Sequence, residues 1–325
     1  MRHLDLQVIE GALQWANQGH RLWLCTVLAT FGSSPREPGA MLVARQDGES
    51  LGSLSGGCVE EDFLERLRQG EFDEPVQQVR YGGQGAAPAS SRVRLPCGGS
   101  LELLVERLEP DAATLTHLEV VHATLLGRRS LIRRVPLDGR AAHFVAAEVA
   151  GPSILRQEGL IGVRIGPALR LIIAGISPVS QACASFASSL GFEVIVCDPR
   201  DKARQEFMVP GVEVQAVLPS TFIASGGCHA ATAVVALTHD PRIDDLAMIE
   251  AVRTEAFYIG VMGSRQTSCL RETRLRRSGG LTSEQVARIH MPIGLGLGSK
   301  TPAEIALAVM ADIVRVHRGR ARDAL

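Results

Sequence analysis

The stretch Arg170-Leu171-Ile172-Ile173-Ala174-Gly175-Ile176-Ser177-Pro178 decides how the second half of the chain folds. Its apolar run is too short for a helix and is closed by glycine, so it reads as a buried strand. A helix-like stretch follows to Leu190, where Gly191 breaks it. Phe192-Glu193-Val194-Ile195-Val196-Cys197 is a second strand and ends at Asp198. The pattern returns at Ala231 to Leu237 and at Ala256 to Gly260, with helices between. Strands that alternate with helices predict βαβ units and a parallel sheet. The last helix, Pro302 to about His317, starts on a strong signal. Thr301 caps it, Pro302 suits its first position and Glu304 completes a capping box.

The same stretch carries the first chemical question. Gly175 follows a strand and opens a helix, and Asp198 ends the next strand roughly 20 residues on, the layout of a dinucleotide site. The glycine fingerprint is nevertheless broken. Ser177 stands where a glycine lets backbone approach a pyrophosphate, and Pro178 removes an N–H donor. A sheet of this kind kept without its nucleotide is the slightly favoured reading. Polar loops are expected at the C-terminal strand ends: Asp198-Pro199-Arg200, Thr238-His239-Asp240 and Gly260 to Arg265 with Gly263 and Ser264. Open α/β sheets take ligands at that edge. The bland alternative makes His239 a capping residue. The basic run Arg271 to Arg277 reads as a solvated helix face.

The first half has a different pattern. A helix is expected near residues 4 to 17, then strands near 22 to 30, 40 to 45 and 50 to 54, a helix near 59 to 69 and a strand near 101 to 107. Residues 82 to 91 are rich in glycine, alanine, proline and serine and read as a loop, whereas 111 to 168 give one helix, short strands and a linker.

Two cysteines are flanked by glycines: Ser55-Gly56-Gly57-Cys58-Val59-Glu60 and Pro96-Cys97-Gly98-Gly99. Glycine strips away neighbouring side-chain bulk and allows sharp turns, so a thiol there is approachable. Cys58 precedes a predicted helix, whose N-terminus favours thiolate. Arg36, set between Pro35 and Glu37-Pro38, offers a guanidinium fork suited to phosphate or carboxylate. Cys25, Cys183, Cys197, Cys228 and Cys269 read as small core residues. The seven cysteines include no CxxC pair, which excludes a zinc ribbon and a thioredoxin-type centre.

Composition narrows the rest. The 325 residues favour two domains, and 46% hydrophobic with 21% charged residues suffices for ordinary cores. A net charge of −1 gives no pull toward nucleic acid. No apolar run reaches the length of a membrane span, and Met1 to Leu6 lacks the features of a signal peptide. A cytoplasmic protein with reduced thiols is expected.

Taken together, these segments resemble the XdhC/CoxI family of accessory proteins for molybdenum hydroxylases. The matching residues are Gly32-Ser33-Ser34-Pro35-Arg36 with Gly39-Ala40, Gly52 to Glu60, Leu95 to Gly99, Phe192 to Arg200, Gly260 to Arg265, Pro292 to Leu295 and Lys300 to Ala306. The resemblance implies an α/β protein with an N-terminal α+β XdhC-type domain over 1–150, a linker at 151–168 and a Rossmann-like parallel-sheet domain over 169–325 with a helical end. It implies a non-catalytic carrier that binds molybdenum cofactor, a molybdopterin or its cytosine dinucleotide form. The carrier would protect the cofactor during sulfuration and help insert it into a xanthine dehydrogenase or aldehyde oxidoreductase-type client. Partners would be that client, a cysteine desulfurase and cofactor-synthesis enzymes; a homodimer stays open, and no nucleic acid or membrane is expected. Cofactor binding falls first to Cys97, then to Cys58, with Gly98, Gly99, Ser55, Gly56, Gly57 and Arg36 around them. The second-domain crevice would hold Gly175, Asp198, Arg200, His239, Asp240, Gly263, Ser264 and Arg265. Relatives commonly carry glycine-histidine where this chain has Ser177-Pro178, which speaks against NAD(P). An NAD(P)-dependent oxidoreductase and an assembly factor that never touches the cofactor are the alternatives.

Overall fold

The computed structural model describes residues 4–31, 36–82, 99–127, 129–147 and 151–322, without the side chain of Cys58. The chain divides into two compact units, Leu4–Pro167 and Ala168–Leu325.

The first unit runs α1 (Leu4–Asn17), β1 (Leu22–Phe31), β2 (Met41–Arg45), β3 (Ser50–Gly52), α2 (Cys58–Arg68), β4 (Val76–Gly82), β5 (Ser100–Leu108) and α3 (Ala112–Leu126), then β6 (Leu131–Pro136), β7 (His143–Ala146), β8 (Ile154–Gln157) and β9 (Leu160–Ile165). It holds two antiparallel sheets, ordered β3-β2-β1-β5-β4 and β7-β6-β9-β8. Strand β1 is buried from Leu22 to Leu28 because both of its faces are covered. Leu22, Leu24 and Leu28 pack with Ile9 and Trp15 of α1, Leu118 and Val121 of α3, and Ile161 and Val163 of the second sheet. Trp23, Cys25 and Val27 point the other way, onto Val59, Phe63 and Leu67 of α2. Burying a ring such as Phe63 contributes about 1.5–3 kcal/mol.

The stretch 151–168, expected as a linker, instead carries β8 and β9, and β9 pairs with β6 from Leu131–Ile165 to Pro136–Leu160. The strands are short, and the exposed Arg156 and Gln157 hide the alternation that would mark β8. Strand β4 was equally illegible. Its Gln77, Gln78 and Arg80 are polar, and only Val79 and Tyr81 are buried.

The second unit runs β10 (Arg170–Ala174), α4 (Pro178–Ser189), β11 (Glu193–Cys197), α5 (Asp201–Gln205), β12 (Glu213–Gln215) and α6 (Pro219–Phe222) with a π-helical turn at Ile223–Gly227. It continues β13 (Thr232–Ala236), α7 (Pro241–Ala251), β14 (Tyr258–Val261), α8 (Arg265–Arg277), α9 (Ser283–Ala287), β15 (Ile289–His290) and α10 (Pro302–His317). All six strands are parallel, in the order β12-β11-β10-β13-β14-β15. Two βαβαβ halves therefore diverge from the central pair β10 and β13, the strand order of dinucleotide-binding sheets. Leu171 and Ile173 pack on Cys183 and Ala187 of α4 and Val309 of α10. Ile172 and Ala174 pack on Ala247, Met248 and Ala251 of α7. A sheet covered on both faces needs the continuous apolar runs that made these strands readable. Helix α10 starts on the reciprocal Thr301–Glu304 capping box that the spacing predicts.

Cys25, Cys183 and Cys197 are buried, as small core residues should be, and burial pushes the Cys183 and Cys197 thiols up to about 12. Cys228 is half-buried. Cys269 departs from the core reading: α8 turns it to solvent. Among the described residues no helix is long and apolar enough to cross a membrane, and no cluster of histidine, cysteine and carboxylate side chains could hold a metal ion.

Candidate functional site

The register of the five-stranded sheet brings several predicted residues to one end of it. Ser100 at the start of β5 lies opposite Phe31 at the end of β1 and Gly82 at the end of β4. Met41 and Gly52 sit at the same end of β2 and β3. Arg36, the turn Ser53 to Gly57 and the buried Gly99 therefore attach to one edge of the first unit. Cys97 and Gly98 lie outside the described residues. Cys58 is the first residue of α2.

The glycine turn does something the sequence reading missed. Glu60, three residues after the N-cap Gly57, reaches back into the turn. Its Oε1 accepts from Ser53 Oγ (2.9 Å) and from the N–H groups of Leu54 (2.8 Å), Ser55 (2.9 Å) and Gly56 (3.0 Å). Its Oε2 accepts from Ser55 Oγ (2.6 Å) and Gly57 N–H (3.0 Å). The N–H groups of Ser55, Gly56 and Gly57, expected to face a ligand, hold the chain's own carboxylate. Burial raises the Glu60 pKa, but the Ser55 hydroxyl and the ring of N–H donors outweigh it and hold the group well below the usual carboxylate range. Gly57 adopts φ 150° and ψ −78°, a conformation open to glycine. The acid three residues beyond the turn was the available signal, because a helix N-terminus favours a carboxylate at that place.

Arg36 braces this turn. Its Nε donates to the Ser53 carbonyl (3.2 Å) and its Nη2 to Asp5 Oδ1 of α1 (3.3 Å). Its side chain stays 24% exposed.

In the second unit the predicted residues converge at the C-terminal ends of the parallel strands. Gly175 has φ 80°, and a Cβ there would meet Thr238 Cγ2 at 2.2 Å, so glycine lets the first turn close against the β13 loop. Ser177 caps α4 by accepting from Ser180 N–H, and its hydroxyl donates to the Leu237 carbonyl (2.8 Å). Asp198 is fully buried. Its Oδ1 accepts from Arg200 N–H (2.8 Å) and Arg200 Nε (3.0 Å); its Oδ2 accepts from Ile176 N–H (2.7 Å) and Arg200 Nη2 (2.6 Å). Burial raises its pKa, but the Arg200 guanidinium and the N–H donors overcome that and leave it low.

Asp240 caps α7 and pairs with Arg242, and Ser264 caps α8, whose first residue is Arg265. His239 is the single non-glycine residue with positive φ (66°) among the described residues. His239 and Gly263 line a cavity of about 310 Å³ with Met262, Ile293, Leu295 and Ile305.

A buried ion cluster fixes these loops. Arg271, read from the sequence as part of a solvated face, is 1% exposed. Its Nε donates to Asp245 Oδ1 (2.7 Å), its Nη1 to the Met262 carbonyl (2.9 Å) and its Nη2 to Asp244 Oδ2 (3.4 Å). Asp244 in turn accepts from the Thr238 hydroxyl (2.6 Å). Burial pushes the Asp244 pKa up, against the Thr238 and Arg271 contacts that lower it. Arg274 Nε joins the cluster at Asp245 Oδ2 (2.9 Å), while Arg276 and Arg277 face solvent, so the basic run gave no hint of which arginines turn inward.

Residues 171–313 match the XdhC Rossmann domain, and residues 15–82 match the XdhC and CoxI family. The chain belongs to the XdhC and CoxI family. Its XdhC-type ranges contain Arg36, the Ser55–Cys58 turn and every residue of the second-unit crevice. This XdhC/CoxI chain is 29% identical to the molybdenum cofactor insertion chaperone PaoD of Escherichia coli (strain K12), over 96% of the chain and 89% of that relative. It is 24% identical to a Bacillus subtilis (strain 168) protein named as a probable subunit of xanthine dehydrogenase, over 91% and 93%. Its fold matches a crystal structure described as a xanthine dehydrogenase from Bacillus halodurans, with TM-score 0.73 and 23% identity, covering 100% of this chain and 98% of that one.

Proposed function

We propose that this chain is a carrier for molybdenum cofactor that shields the cofactor while its terminal sulfido ligand is installed and helps deliver it to a xanthine dehydrogenase or aldehyde oxidoreductase-type enzyme. The observation that carries this reading is the 29% identity to a molybdenum cofactor insertion chaperone along 96% of the chain. A cysteine desulfurase and the client enzyme are the partners this role requires, and the cytoplasm is its place.

The chemistry of the first unit supports the role. The cargo is an anionic pterin phosphate with a dithiolene-held metal. A soft thiolate suits such a centre. Cys97 is assigned first and Cys58 second on the resemblance to XdhC/CoxI proteins; in support, Gly99 and the turn that leads into Cys58 lie at one sheet end with Arg36. Arg36 supplies a partly exposed charge, while the Ser55–Gly57 turn, filled by Glu60, shapes the start of α2 instead of gripping phosphate. A carrier must release its load, so a few groups serve better than a closed metal cage.

The test is purification of the chain from cofactor-producing cells, with molybdenum and pterin measured against protein. Wild type is expected to carry both, and Cys97→Ala markedly less. Undiminished loading in both Cys97→Ala and Cys58→Ala removes the thiol from the reading. Normal cofactor content of the client in cells lacking this chain removes the carrier role itself.

A further inference from the structure

We infer that the second unit takes one planar heterocycle, no longer than a mononucleotide, in the cavity over β13, β14 and β15, and that the other half of its crevice is closed by the chain itself. Sheets with this strand order seat a dinucleotide across the switch between the first and fourth strands, one mononucleotide to each half. Here those strands are β10 and β13.

The half over β10 and β11 is filled. A carboxylate offers about four acceptor sites. Asp198 receives four donors, one from Ile176 N–H and three from Arg200. No lone pair remains for the hydroxyls of a ribose. Arg200 Nη2 also donates to the Ile176 carbonyl (3.0 Å), which lays the guanidinium across the turn. Ser177 spends its hydroxyl on Leu237, and Pro178 has no N–H to give a phosphate.

The half over β13, β14 and β15 is open and preformed. Its cavity of about 310 Å³ is at the small end of ligand pockets, which run from about 300 to 1,000 Å³. Met262, Ile293, Leu295 and Ile305 give it apolar walls suited to ring faces. His239 stands among them with the peptide groups of glycines and with Ser299, whose hydroxyl donates to the Glu304 carbonyl (3.1 Å) and keeps its acceptor side, which suits the polar edge of a ring. The left-handed backbone at His239 is a strain of the kind found at ligand clamps. Two walls are tied to one buried cluster: Arg271 holds the Met262 carbonyl, and through Asp244 it holds Thr238 beside His239. The pocket is therefore braced before any ligand arrives. This inference stands apart from the carrier role, since it concerns a free heterocycle in the second unit.

Isothermal titration of the full chain with 6-hydroxymethylpterin, nicotinamide mononucleotide and NADPH tests it. At least one short probe is expected to saturate one site, and the one that does identifies the ring. NADPH is expected to bind no tighter than nicotinamide mononucleotide, because its adenylate half finds no seat. Ala308→Phe, which fills the cavity from α10, should weaken the short probe at least tenfold with an unchanged melting curve. Should that variant fail to fold, Leu297→Asp, on an exposed rim residue, should weaken it severalfold. The inference is overturned if neither short probe binds, if NADPH binds tenfold more tightly than the mononucleotide, or if folded variants at both positions bind as wild type does.

Discussion

Glu60 shows how a single side chain can reverse the meaning of a motif. A glycine turn ahead of a helix looks like a cradle for an external anion. An acid at the third helical position fills it from within, and the residue becomes a structural anion. Hydrogen bonds to a charged group contribute about 1.5–3 kcal/mol. Glu60→Gln keeps the size but loses the charge and puts an amide N–H where an acceptor stood. A loss of about 2 kcal/mol is expected on urea unfolding at neutral pH. The pH dependence has a definite sign. The folded pKa lies below the ordinary value of 4.5, so the stabilisation is fully present above that value. It drains away as pH falls through the folded value. Wild type should therefore lose its advantage over Glu60→Gln when unfolding is followed from neutral pH to below 4, and a constant gap across that range would show that the charge does not matter. Asp198 tells a parallel story. Its position at the end of β11 was legible, but its use was not, because the Arg200 that saturates it sits only two residues away and reads as a free basic residue.

At the scale of elements, legibility followed burial. Strands β10, β11, β13 and β14 are covered on both faces, and their unbroken apolar runs announced them. Helix α1 was readable from its apolar spacing, and α10 because its spacing and its cap agree. Edge strands such as β8, with two exposed polar residues, and β15, with two residues in all, carry too little pattern to be seen. Helix α8 sits between these cases. Its arginines look alike in sequence, yet the fold separates them sharply. Arg271 is 1% exposed and holds Asp244 and Asp245, whereas the Arg276 side chain is 44% exposed and pairs with Glu272 on the same helix. Removing one partner of a buried ion cluster costs about 3–5 kcal/mol, while an exposed helical pair contributes about 0.3–0.5 kcal/mol. Arg271→Ala should therefore shift the urea midpoint far more than Arg276→Ala. Equal shifts would mean that the buried cluster adds nothing beyond its surface counterpart.

At the scale of the whole molecule, each unit has what independent folding requires. The first has two apolar clusters, one on each face of its five-stranded sheet. The second has two of its own on the faces of the parallel sheet. Segments with separate cores are expected to fold alone. Fragments 4–167 and 168–325, expressed separately, should each give a single cooperative thermal transition. A fragment that melts without one would show that its core depends on the rest of the chain.

The parallel sheet has a consequence for the order in which the chain takes shape. Its central contact joins β10, beginning at Arg170, to β13, beginning at Thr232, and its last strand pair waits for Ile289. Such distant pairings close slowly. During synthesis the first unit can finish its sheets while β10, an apolar strand of the second, has left the ribosome ahead of β11 and β13, the strands it pairs with. For that interval the newborn chain presents a bare, sticky strand, and its safe arrival depends on how fast β11, from Glu193, and β13, from Thr232, follow.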